Sequence, residues 1–276
     1  MTVATGTAEG QVDRDPKADA LRSASAAVSQ PAAILGPVGA WPTGELLGLD
    51  FETTGIDRFN DVPVSYALVS VVEGVVTTSW SGLVDPGREI PAEATAVHGI
   101  STERARDEGM PLRDAISLVS DAVVSASARG VPLVGMKLDY DLTILETQAR
   151  DLCGWGPIER GWCGPVLDAV VIDRHFDPDR KGRRTLVDLC AQYGIEIGNA
   201  HDASADATAS IEVIFALALR YDALWGCDLA RLHHDQIDWH REWTQSYDSW
   251  RLAEGMLPSD PRDYVWPVAP VVLPAA

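Results

Sequence analysis

The sequence predicts an α/β domain, a mixed central sheet flanked by helices, running from about residue 44 to 222. Three observations carry this expectation. Apolar runs of strand length crowd the first half, helical spacings dominate the second, and the flanking segments differ from both in composition.

Residues 1–42 are rich in Ala, Ser, Pro and Gly, with no sustained periodicity apart from a weakly helical stretch from Ala18 to Val28, and read as a disordered leader. The texture changes at Glu45. Leu46 to Phe51 is a short apolar run, Ser65 to Val72 and Val75 to Leu83 are further strands, and Glu73-Gly74 between the last two marks an antiparallel hairpin. From Met110 to Ala128, Leu112, Ile116, Val119 and Val123 recur at spacings of three and four, which predicts a helix; the strand Pro132-Leu133-Val134 follows. Asp141 to Asp151 reads as a helix with Leu142, Leu145 and Ala149 on its apolar face. Val166 to Ile172 is ambiguous, and Thr185 to Tyr193 and Ala203 to Leu219 are helical, the second Ala-rich. Residues 223–276 form a helical and Pro-rich extension. Trp239, Trp243 and Trp250 fall on one helical face there, read either as packing onto the domain or as a docking face for a partner or for bases.

Composition narrows the class. No stretch reaches the roughly eighteen uninterrupted apolar residues of a membrane span, and the first thirty residues lack a secretory pattern, so a cytoplasmic protein is expected. Cys153, Cys163, Cys190 and Cys227 form no C-x-x-C pair and read as buried free thiols. The formal charge of −19 opposes tight, processive binding to long nucleic acid. Bound divalent cations would invert that field locally, and gripping only a strand end needs few phosphate contacts.

Asp50 and Glu52 stand two apart at the end of an apolar strand, so both side chains share one face. Adjacent carboxylates repel unless a cation lies between them, which points to a hard divalent metal, Mg²⁺ or Mn²⁺.

The run Asp50-Phe51-Glu52-Thr53-Thr54-Gly55 resembles the first motif of the DEDDh (DnaQ-like) 3′-to-5′ exonucleases, D-x-E-T-T-G. His98-Gly99-Ile100 resembles the family segment beside the terminal nucleotide. Gly135 to Leu142 keeps the family's Gly-to-Asp spacing, which selects Asp141, leaves Asp139 as a helix N-cap, and has Met136-Lys137 where relatives carry His-Asn. His201-Asp202-Ala203-Ser204-Ala205-Asp206-Ala207 matches H-x-A-x-x-D-A, with Asp202 an alternative N-cap. Segments around Asp168 and from Thr185 to Ile195 also look like the family, Asp168 in a supporting role.

The resemblance spans about residues 46 to 220 and implies a ribonuclease H-like exonuclease fold. It further implies two metal ions held by Asp50, Glu52, Asp141 and Asp206, His201 as general base, and release of nucleoside 5′-monophosphates from DNA 3′ ends. Thr53, Thr54, His98 and Lys137 are expected at the substrate. Arg183 and Arg184, in a basic stretch broken by aspartates, are expected either to track the incoming strand or to be solvated. The residues are equally compatible with an exoribonuclease of the oligoribonuclease or ribonuclease T kind. A third reading is a non-catalytic docking module, with a polymerase or repair partner reached through the C-terminal extension.

Overall fold

A computed structural model describes residues 41–198 and 201–270. Its strands are β1 (Glu45–Thr53), β2 (Pro63–Val72), β3 (Val75–Asp85), β4 (Met110–Pro111), β5 (Leu133–Gly135) and β6 (Val166–Asp168). The helices are α1 (Ala92–His98), α2 (Thr102–Glu108), α3 (Leu112–Ala128), α4 (Leu138–Cys153), α5 (Ala169–Phe176), α6 (Leu186–Tyr193), α7 (Ala203–Arg220), α8 (Asp222–Trp225) and α9 (Leu229–Ala253). The sheet order is β4-β3-β2-β1-β5-β6. Antiparallel pairing joins β1, β2 and β3, while β5 and β6 extend the sheet in parallel with β1.

The period of two along β1 sorts its residues onto two cores. Leu47, Leu49 and Phe51 pack with Ile116 and Val119 of α3 and Leu142 and Leu145 of α4. Leu46 packs on the opposite side with Ile211, Ile214 and Leu217 of α7. Gly48, Asp50 and Glu52 share this second face. A Cβ on Gly48 would lie 2.9 Å from Ile211 Cδ1 and 3.1 Å from the Ala207 carbonyl oxygen, so glycine here lets α7 approach β1 closely. That approach brings the start of α7 beside the end of β1.

Several expectations are revised. The leader lies outside the described residues except for its end, where Trp41 and Pro42 are buried and Trp41 Nε1 donates to the Leu224 carbonyl at 2.8 Å. Packed structure thus already includes residue 41 rather than beginning at 44. The helix expected from Met110 starts at Leu112, because Met110 and Pro111 pair with Val84 and Asp85 of β3. The ambiguous segment from Val166 splits into a strand and a helix, with Asp168 at the junction. Of the four thiols only Cys190 is buried, and Cys163 is exposed.

The extension packs onto the domain in part through its tryptophans: Trp239 packs against both cores and stacks on His175 at 3.8 Å, whereas Trp250 is exposed. The buried stripe of α9 is Leu232, Gln236, His240, Thr244 and Asp248. It is held by hydrogen bonds: Gln236 Nε2 donates to the Val166 carbonyl at 2.7 Å and its Oε1 accepts from the Asp168 N–H at 2.8 Å. The amide of one glutamine thereby supplies the outer edge of β6 with bonds that a further strand would otherwise make. Trp266 and Ala269 are buried beyond it, and the Ala269 N–H donates to Thr143 Oγ1 at 3.0 Å. No described helix is long and apolar enough to cross a membrane.

Candidate active site

The ends of β1 and β5 and the start of α4 meet at a cleft of about 1360 Å³, with Asp50, Glu52, Thr53, Lys137, Tyr140 and Asp141 on its wall. This is the carboxyl edge of the parallel strands, where ligands of open α/β sheets gather.

Asp141 is buried in the first turn of α4 and its Oδ1 accepts from the Phe51 N–H at 3.0 Å, between Asp50 and Glu52 in sequence. Asp206 stands in the first turn of α7, and its Oδ2 accepts from the His201 N–H at 3.3 Å. Glu52, His201 and Asp206 each offer a ligand atom, all within 4.8 Å of one another. His201 is exposed and holds φ at +70°, a left-handed backbone uncommon for a side-chain-bearing residue and a feature that gathers at functional sites.

The electrostatics are those of crowded, desolvated carboxylates. Burial first, then Asp141, Asp206 and Glu52, push Asp50 well above the usual carboxylate range. Burial with Asp206 and Asp202 lifts Glu52 to about 7. Asp141 and Asp206 are raised as well, each chiefly by burial. Asp206 Oδ1 is buried with no hydrogen-bond partner among the described residues, an acceptor left with free lone pairs there. Hard oxygen donors, mutual repulsion and an orphaned carboxylate oxygen fit a divalent cation.

The remaining motif residues separate by what they touch. Thr53 Oγ1 donates to the Gly55 carbonyl at 2.8 Å and contacts Tyr140 Oη at 2.9 Å on the cleft wall. The buried Thr54 hydroxyl donates to Asp61 at 2.7 Å and accepts from the Val62 N–H at 3.2 Å, so it is already committed to the turn. His98 ends α1, and its Nδ1 accepts from the Ile100 N–H at 3.1 Å. Its Nε2 is buried and makes no well-formed hydrogen bond among the described residues; burial, then the neighbouring His201, hold its pKa down against the Thr53 backbone, which raises it.

Lys137 is exposed with φ at +59° and is itself the residue before the first turn of α4. Asp139 is therefore not the N-cap expected of it. The capping role falls to Asp168, thirty residues on, whose carboxylate accepts from the Lys137 and Leu138 N–H groups and also from those of Val170 and Val171. One fully buried aspartate thus ties the starts of α4 and α5 together. Asp139 instead pairs with Arg58 at 2.7 Å, and Arg58 also reaches Asp263 of the C-terminal extension. Asp202 is the N-cap of α7, accepting from the Ser204 and Ala205 N–H groups at 3.1 Å.

The two arginines expected at the strand part company. Arg183 is 85% exposed, but Arg184 is 13% exposed and donates to the fully buried Asp173 at 2.6 Å. Arg180 and the Tyr193 hydroxyl converge on the same carboxylate. Arg184 is thus held inside by a buried charge network and is not available to a strand.

Sequence reasoning missed the far rim of the cleft. Arg58, Asp260, Arg262 and Asp263 line it, Arg262 lying over the Phe59 ring at 3.7 Å. No motif marks these positions; the sole hint is the charged cluster Asp260, Arg262 and Asp263 within the Pro-rich tail.

Residues 47–214 match the family model described as Exonuclease (RNase_T). The chain belongs to this exonuclease family. Relatives are distant: the PolC-type DNA polymerase III of Lacticaseibacillus paracasei is 23% identical over 195 residues, covering 71% of this chain and 13% of that protein. The DNA polymerase III epsilon subunit of Aquifex aeolicus is 25% identical over 187 residues, covering 66% of this chain and 83% of the subunit. The chain thus spans only a small part of the PolC-type relatives it matches, and most of the epsilon subunit. Among solved structures, Escherichia coli exonuclease I in complex with a dA16 oligonucleotide aligns with a TM-score of 0.57 and 20% identity over 72% of this chain and 44% of that one. These likenesses agree with a DnaQ-like exonuclease built on the ribonuclease H-like fold.

Proposed function

We propose that this protein is a DEDDh-type 3′-to-5′ exonuclease that hydrolyses the terminal phosphodiester of DNA and releases nucleoside 5′-monophosphates. The single observation that carries the reading is the clustering of Asp50, Glu52, Asp141 and Asp206 around the end of β1, with His201 beside Glu52 and Asp206.

Two ions of Mg²⁺ or Mn²⁺ would be held by these four carboxylates, Asp206 offering its unpartnered Oδ1. When bound, such ions lower the pKa of the attacking water and stabilise charge on the leaving oxygen. His201 would take the water's proton on a ring nitrogen, its exposed position leaving the ring free to turn toward the scissile phosphate. Thr53, beside Tyr140, and His98 would place the terminal nucleotide, and Lys137 would meet phosphate. Thr54 we assign to the turn rather than to the substrate, its hydroxyl being engaged by Asp61 and Val62. The exonuclease I complex with dA16 favours DNA as substrate.

The test is release of mononucleotides from matched 3′-labelled DNA and RNA oligonucleotides, with Mg²⁺ and with chelator. Mg²⁺-dependent shortening of DNA from its 3′ end is expected. Shortening of RNA alone would transfer the reading to an exoribonuclease, and no shortening of either would leave a docking module.

A further inference from the structure

Beside the catalytic cleft lies a second cavity of about 270 Å³, which Arg58, Lys137, Asp139 and Asp263 share with the cleft. Arg174, Trp243 and Arg251 complete its cationic and aromatic side. In a chain of charge −19 such a concentration of cations is unexpected. The acids around it are already engaged: Asp139 and Asp263 hold Arg58, and four backbone N–H groups occupy Asp168.

Arg174 is left over. It makes no ion pair and no hydrogen bond with any described residue, and its guanidinium lies 3.4 Å over the Trp243 ring. Burial draws its pKa down to about 10, so its charge is poorly solvated while still present at neutral pH. Stacking fixes the plane of the fork, which suits bidentate contact to phosphate. Below it Trp243 stacks on Tyr247 at 5.0 Å, and Tyr247 on Trp250 at 5.6 Å. Trp250 ends this ladder and is 51% exposed, so one more flat ring can add there.

We propose that this cavity binds the backbone phosphate of a nucleotide upstream of the 3′ end, with Arg174 as its anchor and the outer end of the aromatic ladder receiving a base. The proposal rests on the exonuclease reading of the adjoining cleft. Continuity supports it, because a strand whose end lies among the carboxylates leaves past Lys137 and Arg58, the wall common to both cavities. An anionic strand also fits better here than an acidic or apolar peptide, since the free groups are one unpaired arginine, an exposed lysine and a row of aromatic faces.

The experiment compares a dinucleotide with a single-stranded decamer in Mg²⁺, measuring KM and kcat for the parent, Arg174→Gln and Arg251→Gln. A melting curve for each variant confirms that it is folded. For Arg174→Gln, KM for the decamer is expected to rise roughly tenfold and the salt slope of its binding to fall by about one, with the dinucleotide unaffected. Arg251→Gln, on the wall of the same cavity, moves in the same direction and keeps the test alive should the first variant fail to fold. Equal effects on both lengths, or none on either, would overturn the proposal. So would relief of inhibition by free 5′-mononucleotide with the decamer KM unchanged, because the cavity would then hold released product. If the parent cleaves neither substrate the exonuclease reading fails, yet fluorescence anisotropy of a labelled, 3′-phosphorothioate decamer on parent and Arg174→Gln still decides this cavity.

Discussion

The carboxylate of Asp141 accepts the Phe51 N–H at 3.0 Å, which fastens the first turn of α4 to β1 between the two acidic side chains of that strand. Asp139, two residues earlier, turns away to Arg58. Neighbours in sequence therefore belong to different machinery.

Replacing Asp141 by Asn should abolish Mg²⁺-dependent nucleotide release, a fall on the order of a thousandfold or more, because one metal ligand loses its charge. Asp139→Asn should keep most of the turnover and lose melting temperature instead, since it strips Arg58 of a largely buried partner. Activity and thermal melting on both variants check the pair; equal loss of turnover would place Asp139 in the metal site.

His201→Ala should lower kcat by about 10² to 10⁴, the usual range for a positioned acid or base. Metal affinity, followed by titration calorimetry, should change far less, because the carboxylates remain. Unchanged kcat would remove His201 from proton transfer.

In chelator the crowded carboxylates should make stability depend on pH. Glu52 is lifted to about 7 by burial, then by Asp206 and Asp202. A carboxyl whose folded pKa is raised favours the native state below its ordinary pKa, and that advantage is lost as pH climbs from about 4.5 to about 7. Glu52→Gln removes the titration, so its melting temperature relative to the parent should rise across this window. Mg²⁺ should reverse the order at pH 7 by stabilising only the parent. A difference flat with pH would show that Glu52 is not desolvated.

Asp173→Ala should destabilise the protein by about 3 to 5 kcal/mol, the cost of leaving buried cations without their counterion. Arg184→Gln should also be destabilising, whereas Arg183→Gln should leave stability within about 0.5 kcal/mol, as an exposed side chain does. Urea denaturation of the three variants ranks them.

Much of the catalytic half was legible because its signals are local. Asp50 and Glu52 share a face by the strand's period of two, and Asp202 and Thr185 cap their helices through atoms two or three residues away. Where the controlling partner is remote, the sequence was silent. Nothing near Lys137 foretells that Asp168 caps α4, or that Asp173 draws Arg184 inward. In α9 hydrophobic spacing pointed to the tryptophan side, where Trp239 does pack on both cores, but the buried stripe also holds Gln236, bonded to the Val166 and Asp168 main chain, His240, bonded to the Asp263 carbonyl, and Thr244, bonded to the His240 carbonyl of its own helix. A buried polar stripe satisfied by main chain leaves no trace in an apolar pattern.

The glutamine against β6 also limits how this molecule can associate. With Val166 and Asp168 already bonded to Gln236, that border of the sheet is closed to a strand from another chain. A partner protein meeting the molecule on that side must recognise helix surfaces, so its specificity would reside in side chains, which mutation can tune one at a time, and not in backbone pairing, which almost any extended segment can imitate.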